Sequence, residues 1–154
     1  MRIETTRFGV LDLEESVFIH FPWGIPGFEE TKRYVLFEHR QGPFQWLQAV
    51  DDPEVAFVVC PPEVFGIRYR VPEDKRAAIG VSPGEEIGVL VIVSFNRGDV
   101  SIRPHRQGPL LFNVNTRQAS QWFIEARELE KFIENVDQPV AAGKPTLSGN
   151  KQYN

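Results

Sequence analysis

The chain is short of the residues on which most chemistry rests. It has one cysteine, Cys60, and three histidines in 154 residues. A lone cysteine closes no internal disulfide and lacks the companions of a structural zinc site, so nothing points to an oxidising compartment. His20, His39 and His105 stand singly, away from metal-ligand spacing, and read as solvated or structural side chains. Cys60 follows Val58-Val59 with nothing nearby to lower its pKa, and reads as a small buried hydrophobe rather than a nucleophile. The glycine spacings of the common phosphate loops are absent as well. No catalytic, cofactor-binding or metal-binding residue is assigned.

Long apolar runs are also missing. The longest, Ile87 to Val93, is interrupted by Gly88 and is far too short to span a bilayer, and Met1 to Thr6 has no apolar export region. A cytoplasmic protein without a membrane anchor is expected. Positive charge is scarce: 17 Lys and Arg against 21 Asp and Glu give a formal net charge of -4, with a pI near 5.4. Phosphate affinity comes mainly from Lys and Arg, so this balance suits a basic protein partner better than a nucleic acid. Arg103, Arg106 and Arg117 with Phe112 and Trp122 would form the stacking surface of the alternative, a direct RNA-binding regulator of β-barrel type.

What the chain has in quantity is punctuation, with 12 prolines and 12 glycines. It is organised around Phe21-Pro22-Trp23-Gly24-Ile25-Pro26-Gly27-Phe28-Glu29, which no helix survives: the prolines lack backbone donors, and Gly24 and Gly27 can take positive φ. Surface turns ordinarily use Asn, Asp and Ser. The apolar Phe21, Trp23, Ile25 and Phe28 therefore either fold back on the core or show an apolar face to a partner. Trp23, Ile25 and Phe28 are contact candidates on the second reading.

Short β-rich segments surround this turn. Val17, Ile19 and Phe21 alternate ahead of it, and Tyr34 to Phe37 follow it in a hairpin-like arrangement. Phe44 to Val50 and Val55 to Cys60 flank Asp51-Asp52-Pro53-Glu54, which reads as a capped hairpin turn rather than a pair of catalytic carboxylates. Asp74 to Ile79 suggests one or two helical turns closed by Gly80. Ile87 to Phe95 is the most β-branched stretch and predicts a central strand, followed by strands near Val100 to Arg103, Leu110 to Val114 and, last, Gln121 to Ile124. Leu129, Phe132, Ile133 and Val136 recur at helical spacing and predict about three turns. The expected fold is all-β, a small antiparallel barrel or sandwich with a short C-terminal helix. It would form one domain over residues 1–136, with a flexible tail over 137–154.

Several segments occur together in one order: Thr5-Thr6-Arg7-Phe8-Gly9, the Phe21 to Glu29 turn, Pro43-Phe44 with Leu47-Gln48, Asp52-Pro53 with Ala56-Phe57, and Pro61 with Val64-Phe65. Across residues 2 to 124 the chain resembles the flagellar assembly factor FliW family. Arg103-Pro104 stands where that family usually shows Asn-Leu. The resemblance implies a small cytoplasmic β-barrel protein without catalytic activity or cofactor. It implies binding to the basic, RNA-binding translational regulator CsrA, which relieves repression of flagellin synthesis, and competing binding to flagellin, with no direct contact to nucleic acid or membrane. An acidic surface, with Asp51, Asp52, Glu54, Glu85 and Glu86 as contact candidates, suits the basic regulator, and exposed apolar side chains suit a helical flagellin segment.

Overall fold

The longest strand is the hub of the molecule. In the computed structural model, which describes residues 1–38, 42–96, 98 and 101–138, the β-branched run forms one strand of nine residues, Ile87–Phe95. In chain order the strands are β1 (Arg2–Thr5), β2 (Gly9–Asp12), β3 (Ile19–His20), β4 (Arg33–Glu38), β5 (Gln45–Ala49), β6 (Ala56–Cys60), β7 (Ile67–Tyr69), β8 (Ile87–Phe95), β9 (Ile102–Pro104), β10 (Leu110–Asn113), β11 (Ala119–Gln121) and β12 (Ile133–Asn135). Helix α1 spans Glu73–Ala78 and α2 spans Leu129–Phe132.

The described residues form three sheets, all of antiparallel pairs. The largest runs β11-β10-β8-β6-β5-β4-β3, with β9 also on β8, while β1 pairs β2 and β12 pairs β7. β8 is long enough to serve three neighbours: its first half pairs with β10, Val91 to Val93 with β6, and Val93 to Phe95 with β9. Because strand side chains alternate, Val91, Val93 and Leu111 enter one core with Trp122, Tyr69 and Cys60. Ile92, Leu110 and Phe112 enter a second core with Phe21, Ile25 and Tyr34. A strand buried on both faces explains the near-continuous apolar run. The β1–β2 hairpin covers a third cluster of Ile3, Phe18, Val35 and Val50.

The all-antiparallel β expectation holds, but the sheet does not close into a barrel. Its two ends meet at one parallel bridge, His20 to Gln118, where the His20 amide donates to the Arg117 carbonyl at 2.9 Å. In a parallel ladder the next donor from this side would be residue 22, reaching the carbonyl of residue 119. Residue 22 is proline and has no N–H. The ladder therefore stops after one rung and the seam opens.

The C-terminal helix is shorter than its periodicity predicts. A 3-10 turn at Ala126–Glu128 leads into α2, after which Ile133 to Asn135 become β12 and pair with Tyr69 to Ile67. Leu129 and Ile133 are buried, as helical spacing demands, but strand pairing satisfies the same burial and adds ladder hydrogen bonds. The strand expected from Val17 to Phe21 is a 3-10 turn at Glu15–Val17 followed by two-residue β3, and the one expected over Gln121 to Ile124 is β11, ending at Gln121. Of the tail expected over 137–154, residues 139–154 lie outside the described residues.

Candidate functional site: an aromatic cleft at the open seam

The turn that follows β3 is built as a rigid wall. Gly24 has φ +70°, and its amide donates to the Phe21 carbonyl at 2.8 Å. A Cβ at position 24 would lie 2.7 Å from the Glu29 Cα, so only glycine lets the chain double back here. The Phe28 amide donates to the Ile25 carbonyl at 2.6 Å, and the Thr31 amide to the Phe28 carbonyl at 3.1 Å. The Thr31 hydroxyl donates to that same carbonyl at 2.9 Å and bonds to the Tyr34 hydroxyl at 2.8 Å. Glu29 caps the tip by accepting the Gly27 amide at 3.1 Å, a bond that holds its carboxyl below the usual range.

This construction sorts the apolar residues of the turn. Phe21 is fully buried, edge-on to Tyr34 and Phe112 with ring centroids 5.2 and 6.0 Å away. Ile25 is 2% exposed and lies inside the same core, so its side chain offers nothing to a partner. Trp23 is 61% exposed, and Phe28 is 40% exposed with one face on Phe57 at 5.1 Å. The turn thus divides, with Phe21 and Ile25 folded back on the core and Trp23 and part of Phe28 left exposed.

Trp23, Gly24 and Pro26 form one wall of a cleft of about 320 Å³. Ser120 to Phe123 line it from the other side of the seam, and Lys75 and Ala78 of α1 complete the lining. Phe123 is 63% exposed, the most open of the large apolar side chains in the described residues. It lies between buried Trp122 and Ile124, so once those two commit to the core, strand alternation turns Phe123 outward. The alternation inside Gln121 to Ile124 could have identified it. Helix α1 is fixed to the sheet by Asn113, which is buried: its Nδ2 donates to the Ile79 carbonyl at 2.9 Å and its Oδ1 accepts the Asn115 and Thr116 amides.

The acidic candidates do not form one surface. Asp51, Asp52 and Glu54 lie in the β5–β6 turn. The Gln48 Nε2 braces that turn from inside through the Ala49 and Pro53 carbonyls at 3.0 and 3.2 Å. Asp51 receives the Arg33 guanidinium, with Nε at 3.1 Å, and Asp52 accepts the Glu54 amide at 3.1 Å. Glu85 and Glu86 directly precede β8, Glu85 accepting the Ser82 amide at 2.8 Å. β6 runs antiparallel to β8, so the first group sits beside the end of β8 and the second at its start. Nine residues at about 3.3 Å each put about 30 Å between them.

The stacking surface of the RNA-binding alternative is not formed. Phe112 and Trp122 are buried, and the Arg117 guanidinium is bonded to the Val17 and Phe18 carbonyls. The described residues contain no group of three or more His, Cys, Asp or Glu arranged to hold a metal ion, and no helix among them is long and apolar enough to cross a membrane. Burial pushes the Cys60 thiol up to about 12, opposite to what a nucleophile needs.

Comparison with known proteins bears on what such a cleft serves. The family model described as FliW protein matches residues 2–132, eight residues beyond the stretch in which the motifs occur. A protein named flagellar assembly factor FliW from Leptospira interrogans is 34% identical over 145 residues, covering 92% of this chain and 96% of that one. One of the same name from Geobacter sulfurreducens is 31% identical and covers 97% of each chain. A crystal structure of the flagellar assembly factor FliW superposes with a TM-score of 0.73 at 25% identity, covering 82% of this chain and 90% of that one. The fold, the length and the sequence agree, and this chain belongs to the FliW family of flagellar assembly factors.

Proposed function

We propose that this flagellar assembly factor acts in the cytoplasm by binding and without catalysis. It captures the translational regulator CsrA, which frees flagellin synthesis from repression, and it captures flagellin itself, so that unassembled flagellin displaces the regulator and restores repression. The observation that carries this reading is the cleft walled by Trp23 and Phe123. Trp23 and Phe123, the two most exposed aromatic rings among the described residues, line one cleft and form an apolar surface that a protein partner would cover. The net charge of -4 favours a basic partner and disfavours RNA.

Co-elution on a sizing column tests the reading. The purified chain is expected to form one complex with the regulator and another with flagellin, and excess flagellin is expected to release the regulator from the first. If neither partner is retained, the reading is wrong. Salt-sensitive binding to the flagellin leader RNA by the chain alone would replace it with the RNA-binding alternative.

A further inference from the structure

The pairing register of β11 leaves backbone groups facing the cleft. The Asn113 amide donates to the Gln118 carbonyl at 2.7 Å and the Trp122 amide to the Pro109 carbonyl at 3.0 Å, so residues 118, 120 and 122 point their backbone groups toward β10. Backbone direction alternates along a strand, so Ala119 and Gln121 point theirs the other way, into the seam. The Arg117 carbonyl, of the same parity, already faces outward and accepts the His20 amide there. Past that rung the opposing strand offers Pro22, which cannot donate, and then turns away at Trp23 and Gly24. The Ala119 carbonyl and the Gln121 amide and carbonyl therefore form a short strand edge along one wall of the cleft, facing an aromatic across it.

We infer that this cleft binds an extended segment of a partner polypeptide, which adds as a strand to the outer edge of β11. An apolar side chain of that segment would sit between Trp23 and Phe123, and an acidic one would lie beside Lys75. The edge supplies main-chain hydrogen bonds, the aromatics supply a pocket for alternate side chains, and register follows from both. The acidic preference comes from Lys75, the one charged residue lining the cleft, which has no carboxylate within ion-pair distance among the described residues. A helix in this cleft would leave the Gln121 amide without a partner, whereas an added strand satisfies it. The inference rests on the reading of this protein as one that captures other polypeptides, and it supplies the mode of capture.

The test separates backbone from side chain at residue 121, with purified flagellin and purified regulator as probes. The Gln121→Pro variant removes the outward donor together with the side chain, on an edge where proline is tolerated. The Gln121→Ala variant keeps that donor and loses only the side chain, whose Nε2 bonds to the Gly108 carbonyl at 2.9 Å. With equal melting temperatures, the proline variant is expected to bind one of the two probes about tenfold or more weakly than the alanine variant, the size of one lost buried hydrogen bond. Equal binding of both probes by the two variants overturns strand addition and leaves the capture reading standing, because a helix or a flat contact would bind this way. If the wild-type chain binds neither probe, both readings fall together. Should the proline variant not fold, hydrogen exchange on the wild-type chain decides. The Gln121 amide is expected to exchange freely alone and to be protected with the probe. Continued free exchange, or protection that grows with the concentration of this chain alone, overturns the inference.

Discussion

Arg117 reaches across the open seam to Phe18, its Nε lying 3.2 Å from the Phe18 carbonyl and its Nη2 2.8 Å from the carbonyl of Val17. It does so from a left-handed backbone, with φ +65°, the only non-glycine residue at positive φ among those described. The same residue gives its carbonyl to His20 and donates its amide to the Asn113 carbonyl at 2.8 Å. One strained residue thus stitches the two ends of the large sheet where Pro22 prevents a ladder. Charge-assisted bonds of this kind contribute about 1.5–3 kcal/mol each, more than the roughly 1–2 kcal/mol that the left-handed conformation costs.

Two substitutions at this position separate the opposing effects. Arg117→Ala keeps the backbone strain and loses both bonds, and is expected to destabilise the protein by about 2–3 kcal/mol in chemical denaturation. Arg117→Gly loses the bonds but also the strain, and is expected to be about 1 kcal/mol more stable than the alanine variant. An alanine variant at least as stable as the glycine variant would show that the latch is not under strain.

The turn beside the cleft gives a second comparison, between two glycines of nearly equal φ. Gly9 has φ +73° and an added Cβ would meet nothing within 4 Å, whereas at Gly24, with φ +70°, it would lie 2.7 Å from the Glu29 Cα. Gly9→Ala is expected to cost about 1 kcal/mol, the backbone term alone. Gly24→Ala adds a collision with main chain that cannot swing aside, and is expected to cost about 3 kcal/mol and to open the cleft wall, seen as lowered protection of the Phe28 and Thr31 amides in hydrogen exchange. Equal losses at the two sites would mean that the wall is softer than its hydrogen bonds imply.

Local chemistry is what the sequence displays best. The run Ile87 to Phe95 reads as a central strand because β-branched residues crowd it, and the structure begins and ends that strand at the same residues. The Phe21 to Glu29 turn, the β5–β6 hairpin and the short helix before Gly80 are equally plain from proline, glycine and capping residues. What depends on distant partners is hidden. Ile133 to Asn135 carry helical spacing and become a strand because Ile67 to Tyr69 lie alongside. Trp23 and Ile25 look alike in sequence, yet one wall of the turn faces the core and the other the cleft. Phe123 becomes legible only once Trp122 and Ile124 are known to be buried, and the separation of the two acidic groups follows only from the direction of β6 against β8.

Alkaline pH should weaken the fold through two buried groups. Burial raises both the Cys60 thiol and the Tyr69 hydroxyl to about 12, from about 8.5 and 10 in an unfolded chain. Above about pH 8.5 the unfolded chain releases the thiol proton while the native protein keeps it, so the native state binds more protons and stability falls as pH rises. The Cys60 contribution is whole below about pH 8.5 and is lost progressively up to about pH 12, at a limiting slope of about 1.4 kcal/mol per pH unit. Urea titrations between pH 8 and 11 are expected to show this decline, with Cys60→Ala giving a shallower one despite its lower stability at pH 7. The native thiol is also expected to resist alkylation at pH 8 until denaturant is added. An unchanged slope in the alanine variant, or prompt labelling of the native protein, would place the thiol outside the core.

Charge reversal at the two acidic ends asks which of them a basic partner meets. Glu54 and Glu86 are both exposed and neither side chain is bonded among the described residues, so Glu54→Lys and Glu86→Lys change charge with little effect on the fold. The ends are about 30 Å apart, which is about three screening lengths at 0.1 M salt. Each variant therefore reports on its own end. If the regulator docks on one end, one variant and not the other is expected to weaken its capture, by about three- to tenfold at low salt, with the difference shrinking as salt rises. Equal weakening by both would mean that overall charge steers the encounter without a docking end. No weakening by either would remove the acidic residues from the interface and leave the aromatic cleft to carry binding alone.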